Sequence, residues 1–153
     1  MCNLLTSKTG LCILNMNIQN VFAKFDLFSL FIERVTVSNP ISVICLNECW
    51  INEKSDISDI NLPNYTMFIQ RGNRKGHGHC GLITYVHEQF QGKEPNIVRP
   101  HTALEYMSVE ISHNKPNSKK YIISNVYRLP VEKVEDYTIV TDEFSCFLND
   151  VKI

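Results

Sequence analysis

The chain has 153 residues, one domain's worth at about 100–200 residues per domain. Hydrophobic residues make up 44% and charged ones 20%, which excludes a disordered chain, since disorder needs too little apolar surface to offset the entropy of ordering. With 15 Lys+Arg against 16 Asp+Glu the net charge is −1, which excludes a strongly basic nucleic-acid-coating protein and an acidic tail but leaves room for an enzyme with a small basic groove. No apolar run approaches the ~20 residues of a membrane span. The opening MCNLLTSKTGLCILNMN makes a poor signal peptide, because Asn15 and Asn17 break its apolar stretch. The expectation is an intracellular protein, nuclear or cytoplasmic, with no membrane partner. In a reducing compartment Cys2, Cys12, Cys45, Cys49, Cys80 and Cys146 read as small buried hydrophobes rather than disulfides. The sequon Asn64-Tyr65-Thr66 is then silent.

In chain order, the turn signal Lys8-Thr9-Gly10 precedes Leu11–Met16, a short apolar run of strand length. From Phe25 the period changes: Phe25, Phe28, Phe31/Ile32 and Val35 recur at helical spacing, predicting a helix over 25–38 that ends before Asn39-Pro40. Ile41–Leu46 is a second continuous apolar run. Strand, helix, strand at this spacing predicts a βαβ unit, with strands 11–17 and 41–48 parallel, adjacent and covered on both faces. Further strands are expected at Tyr65–Gln70, Gly81–His87, Tyr106–Ser112 and Tyr121–Tyr127, the last two joined by a hairpin through 113–118. Between them lies a basic, glycine-rich loop from Arg71 to Gly78. A helical pattern through Val134, Val140, Phe144, Phe147 and Leu148 closes the chain.

Two polar residues stand at equivalent places, Asn17 at the end of the first strand and Glu48 at the end of the second. Parallel strands present their carboxyl ends to the crevice where ligands bind. A carboxylate and an amide there are the oxygen ligands a hard cation such as Mg²⁺ takes, the rest of its shell being water and substrate phosphate. The residues alone leave open the plainer reading, a strand cap at Asn17 and a solvated loop beginning at Glu48. A zinc site from His77, His79 and Cys80 lacks a fourth ligand at a recognisable spacing. Cys45 and Cys49, four apart on a strand, would be about 13 Å from each other. The loop cations Arg71, Arg74 and Lys75 suit contact with a phosphate backbone as well as they suit a solvated loop.

Several strings are similar, in order, to motifs of one family. Asn15-Met16-Asn17-Ile18-Gln19-Asn20, with Lys24 and Asp26 after it, resembles "LNIRSLxNKxD". Residues 44–52 (ICLNECWIN) resemble "ICLTETWLN", Leu62-Pro63-Asn64-Tyr65 resembles "LPGY", and 81–86 (GLITYV) resemble "GGLITYV". Residues 106–111 (YMSVEI) and 125–130 (NVYRLP) resemble "EYLWVEI" and "NVYRPP". These are motifs of the endonuclease/exonuclease/phosphatase (DNase I-like) family, in particular of the endonuclease domain of non-LTR (LINE-type) retrotransposons.

The resemblance implies a four-layer α/β sandwich over 11–153, after an extension at 1–10, and a Mg²⁺- or Mn²⁺-dependent phosphodiesterase acting on DNA. It implies that Glu48 coordinates the cation, that Asn17 supports the metal site, and that Tyr127 lies against the scissile phosphate. Arg71, Arg74, Lys75 and Arg128 are then candidate nucleic-acid contacts. Cys49, Gln19 and Cys80 depart from the family's Thr, Arg and Gly; Gln19 removes a positive charge near the phosphate path. The family's later "GDFN" motif and its C-terminal Asp-His pair find no match in these residues, so the resemblance covers the N-terminal portion of the domain. The expected sheet is incomplete and the expected site catalytically incomplete. The alternatives are an inactive retrotransposon-derived relic with residual nucleic-acid binding, or another phosphodiesterase branch of the superfamily.

Overall fold

The computed structural model describes residues 10–37, 39–72, 80–94, 104–128 and 134–151. The chain is mixed α/β, with two sheets and two α-helices among these residues. The first sheet has β1 (Ile13–Asn17), β2 (Val43–Asn47), β3 (Tyr65–Gln70) and β4 (Leu82–His87) in the order β1-β2-β4-β3. The second has β5 (Phe90–Lys93), β6 (Leu104–His113) and β7 (Lys120–Arg128) in sequence order.

β1 and β2 pair in parallel, Ile13 opposite Val43 through Asn17 opposite Asn47, with helix α1 (Val21–Val35) between them in sequence. The parallel βαβ pairing is therefore as the apolar runs predict, but β1 is not covered on both faces: it is an edge strand whose Asn15 and Asn17 are exposed. All five residues of β2 are buried, because both faces are covered. Leu14, Ile44, Leu46, Ile83 and Tyr85 pack with Val21, Phe28 and Ile32 of α1. Val43, Cys45 and Val86, on the other face, pack with Phe90, Val109 and Ile111 of the second sheet. The outer face of that sheet, through Leu104, Tyr106 and Val126, meets Val140 and Phe147 of α2 (Val134–Val151). Helix, sheet, sheet and helix thus form successive layers.

The helix bounds differ from the expected 25–38. α1 starts four residues earlier because Asn20 caps it, its side chain accepting from Ala23 N–H at 3.3 Å, and Val21 is a buried anchor in the first turn. It stops at Val35, where the Thr36 N–H and hydroxyl both donate to Ile32 O. β1 and β2 each begin two residues later than their apolar runs. Cys12 N–H donates to Ser42 Oγ, and Ser42 N–H to Cys12 O, so this stretch is joined outside the strands proper. Strand β5 is an addition to the strands expected from the sequence. It is short and not apolar in pattern, and it exists because Phe90–Lys93 pairs along Glu110–His113 of β6. Gly92 in it faces the ring of Phe68; a Cβ there would sit 2.7 Å from two ring carbons, so a larger residue would have to displace that ring. No helix among the described residues is long and apolar enough to cross a membrane.

Candidate functional site

The site lies where the carboxyl ends of β1 and β2 meet the end of β7. In a strand, alternate side chains share a face, so Asn47 continues the Val43/Cys45 row that looks toward the second sheet. Its register partner Asn17 lies on the same face of β1. On β7, Asn125 and Tyr127 share the face that looks back. Asn125 is 1% exposed, and its Nδ2 donates to Leu46 O (3.1 Å) and Ile83 O (3.2 Å), a direct bridge between the sheets. Two residues further on, the Tyr127 hydroxyl donates to Glu48 Oε1 at 2.5 Å.

Glu48 points toward Tyr127 because the chain turns sharply there. Glu48 has φ 52° and Trp50 φ 58°; after β1, Gln19 has φ 49° and Asn20 φ 74°. Non-glycine residues adopt this left-handed region rarely, at a cost of order 1–3 kcal/mol each where the surroundings impose it. The two turns hold each other: Asn20 N–H donates to Glu48 O (3.0 Å) and Val21 N–H to Cys49 O (3.2 Å). A third segment supports them, since Cys49 N–H donates to Gly81 O (3.0 Å) and Ile51 N–H to Cys80 O (3.1 Å). Gly81 itself donates to Glu105 Oε2 at 3.0 Å, and Glu105 is the cross-strand partner of Tyr127.

Burial pushes the Tyr127 hydroxyl well above the ordinary tyrosine range, and the hydrogen bond and charge of Glu48 push it further. Tyr127 is therefore a neutral donor across the physiological range rather than a phenolate. Burial likewise raises the Cys49 thiol, and that of Cys45 to about 11, so without a metal both are neutral thiols at physiological pH. Cys49 also lies beyond β2 rather than on it, which replaces the expected strand spacing to Cys45.

Of the expected site residues, Glu48 and Tyr127 are in contact, and Asn17 occupies the adjoining rung beside Asn47. Among the described residues no hydrogen bond joins the Asn17 side chain to either. Arg71 Nη1 donates to Asn52 O (2.5 Å) and Ser55 O (3.1 Å), which ties down the loop after Trp50. Arg128 is exposed at the end of β7, one residue past Tyr127. Arg74, Lys75, His77 and His79 lie outside the described residues. Sequence reasoning missed Asn47, Glu105 and Asn125, all buried polar residues here. The signal available was a polar residue interrupting an apolar strand, the same signal that singled out Asn17.

The donor set suits a hard cation better than a soft one. The Oδ1 atoms of Asn47 and Asn125 are buried without a hydrogen-bond partner, and amide and carboxylate oxygens are the ligands Mg²⁺ and Mn²⁺ prefer. No group of three or more His, Cys, Asp or Glu among the described residues could hold a metal by itself. Any cation here would rely on Glu48, amide oxygens and water. A cavity of about 510 Å³ under the 113–118 hairpin lies at the opposite end of the second sheet and includes none of these residues. No model of a known protein family matches the chain, and no curated protein matches it.

Proposed function

We propose that these residues carry the cation- and phosphate-binding half of a Mg²⁺- or Mn²⁺-dependent phosphodiesterase with a DNase I-like fold, of the kind that nicks DNA in non-LTR retrotransposition. The observation that carries this reading is the Tyr127–Glu48 hydrogen bond. It joins two residues 79 positions apart, from different sheets, that the motif resemblance had already singled out for one site. The helix–sheet–sheet–helix layering supports the fold, and the left-handed turns at Glu48 and Gln19–Asn20 support a site whose geometry is held under strain.

Glu48 is the residue to hold the cation, with Asn17 and Asn47 offering amide oxygens beside it. A bound cation polarises a phosphate oxygen and offsets charge that develops in the transition state. Tyr127, protonated, donates its one hydroxyl proton to the Glu48 carboxylate and so orients it toward the cation and phosphate. Among the 153 residues no aspartate of a "GDFN" motif stands ready as base for the attacking water, a deficit of typically 10²–10⁴-fold. The chain as given is therefore expected to bind the cation and to nick DNA little or not at all.

The test is Mn²⁺ titration of the chain beside Glu48→Ala, followed by plasmid nicking with Mg²⁺. Saturable Mn²⁺ binding that Glu48→Ala abolishes supports the reading. Absence of binding, or binding indifferent to Glu48, overturns it. Clear nicking by the parent that Glu48→Ala abolishes would show that these residues already form a working site.

A further inference from the structure

Glu105 is a carboxylate inside the protein, only 8% exposed, on a strand whose other inward-facing neighbours are Met107, Val109 and Ile111. A buried carboxylate costs several kcal/mol unless hydrogen bonds or charges compensate it, so its persistence calls for a use. Its contacts point to one. Glu105 Oε2 accepts from Gly81 N–H at 3.0 Å, and Gly81 O accepts from Cys49 N–H at 3.0 Å. The carboxylate thus holds, through one peptide unit, the residue directly after Glu48. On its own sheet Glu105 stands opposite Tyr127, which holds the Glu48 carboxylate itself.

Gly81 transmits this restraint rigidly. It has φ +109°, and a Cβ on it would lie 3.1 Å from Ile51 O and 3.2 Å from Ile51 N, so it lies directly against the turn that follows Glu48. Glu105 is also near enough for its charge to raise the pKa of both Cys49 and Tyr127. One rung of the β6–β7 ladder therefore grips the Glu48 turn twice, at the side chain through Tyr127 and at the backbone through Glu105 and Gly81.

We propose that Glu105 is a positioning residue of the Glu48 site: its carboxylate, through Gly81, holds the left-handed turn that aims Glu48 at Tyr127 and at a bound cation. The cation part of this proposal rests on the functional reading above; the positioning part does not. Partners that orient a metal ligand typically contribute about 10–100-fold in metal affinity.

The experiment follows the Tyr127 ring carbon bearing the hydroxyl by NMR in the ¹³C-tyrosine-labelled chain, without metal and then with Mn²⁺, in the parent, Glu105→Ala, Glu105→Asp, Glu105→Gln and Glu48→Gln. Glu105→Asp shortens the side chain by one carbon and withdraws the oxygen from Gly81, while Glu105→Gln keeps an oxygen that can accept the same N–H. The expected result is that Ala and Asp move the Tyr127 signal toward its place in Glu48→Gln and weaken Mn²⁺ binding about tenfold or more. Glu105→Gln should recover most of both, with the amide spectrum showing a folded chain. An unmoved Tyr127 signal in folded Glu105→Ala or Glu105→Asp overturns the positioning role. So does a Gln variant as impaired as Ala, because the carboxylate charge rather than its grip on Gly81 would then be what matters. If Mn²⁺ fails to broaden the Tyr127 signal of the parent, the cation reading falls, and the metal-free comparison still decides whether Glu105 sets the turn.

Discussion

At Tyr127 a hydroxyl both closes the gap between two sheets and orients a carboxylate, so its removal should be felt twice. Tyr127→Phe leaves the ring and deletes the donor to Glu48. The expected cost is about 1 kcal/mol in stability, the usual net worth of one hydrogen bond, read from the urea midpoint. Mn²⁺ affinity should fall with it as Glu48 loses its fixed direction. Asn125 should matter more to stability than to the cation. Its Nδ2 serves Leu46 O and Ile83 O in a fully buried position. Asn125→Ala removes a donor from both carbonyls and leaves a void, for an expected loss of about 2–4 kcal/mol by urea unfolding. A loss below about 0.5 kcal/mol would mean that the sheets do not depend on this bridge.

The turns after β1 and β2 depend on particular residues more than the strands do. Asn20 has φ 74° and caps α1 with its side chain. Asn20→Ala loses the cap and keeps the strained φ, so it should cost about 1 kcal/mol or more, while Asn20→Gly should cost only a few tenths. The order of the two urea midpoints checks this; Ala above Gly would sink the idea. Gly81→Ala puts a Cβ against the Ile51 backbone at a φ that alanine avoids, and is expected to destabilise by more than about 1 kcal/mol. It should also loosen the turn carrying Glu48, because Gly81 is the link to Cys49. The strands themselves carry most of their information in their apolar periods. β2 and β4 are largely apolar and buried on both faces, β1 buries Leu14 on one face and exposes Asn15 and Asn17 on the other, and the β6–β7 hairpin is legible from the turn residues at 113–118. β5 is not, since four residues with a glycine and two polar side chains form a strand only when β6 offers an edge.

For the molecule as a whole, stability should be flat across neutral pH and fall on both sides. Burial pushes the pKa of Tyr65 from the ordinary 10.0 up to about 12, and those of Tyr85 and Tyr127 also upward. Above about pH 10 the unfolded chain releases these protons and the folded chain keeps them, so folding weakens as pH rises through that window. His87 shifts the other way: burial lowers it below the ordinary 6.5, with the charge of Glu88 opposing. Below about pH 6.5 the unfolded chain takes up a proton that the folded chain resists, so stability falls as pH falls. Urea midpoints between pH 5 and 11 check both limbs. Tyr65→Phe should make the alkaline limb shallower without abolishing it, since Tyr85, Tyr127, Cys45 and Cys49 shift the same way, and His87→Gln should flatten the acid limb. Steady stability in the parent from pH 9 to 11 would contradict the tyrosine assignment.

The period of the apolar residues suffices to place the parallel βαβ unit, both helices and the antiparallel hairpin, because helix and strand repeats are written in near neighbours. Asn17 at the end of β1 and Glu48 just past the end of β2 are visible for the same reason, and motif resemblance adds Tyr127. Which buried polar side chains accompany them depends on contacts between residues far apart in the chain. A lone Asn47, Glu105 or Asn125 in a strand looks as though it could face water, since alternation allows either face. Only the closure of one sheet on the other puts all three inside. The same closure turns Glu48 through a left-handed backbone that nothing local favours, and it is the packing around Gly81, Glu105 and Tyr127 that makes this strained turn the stable one.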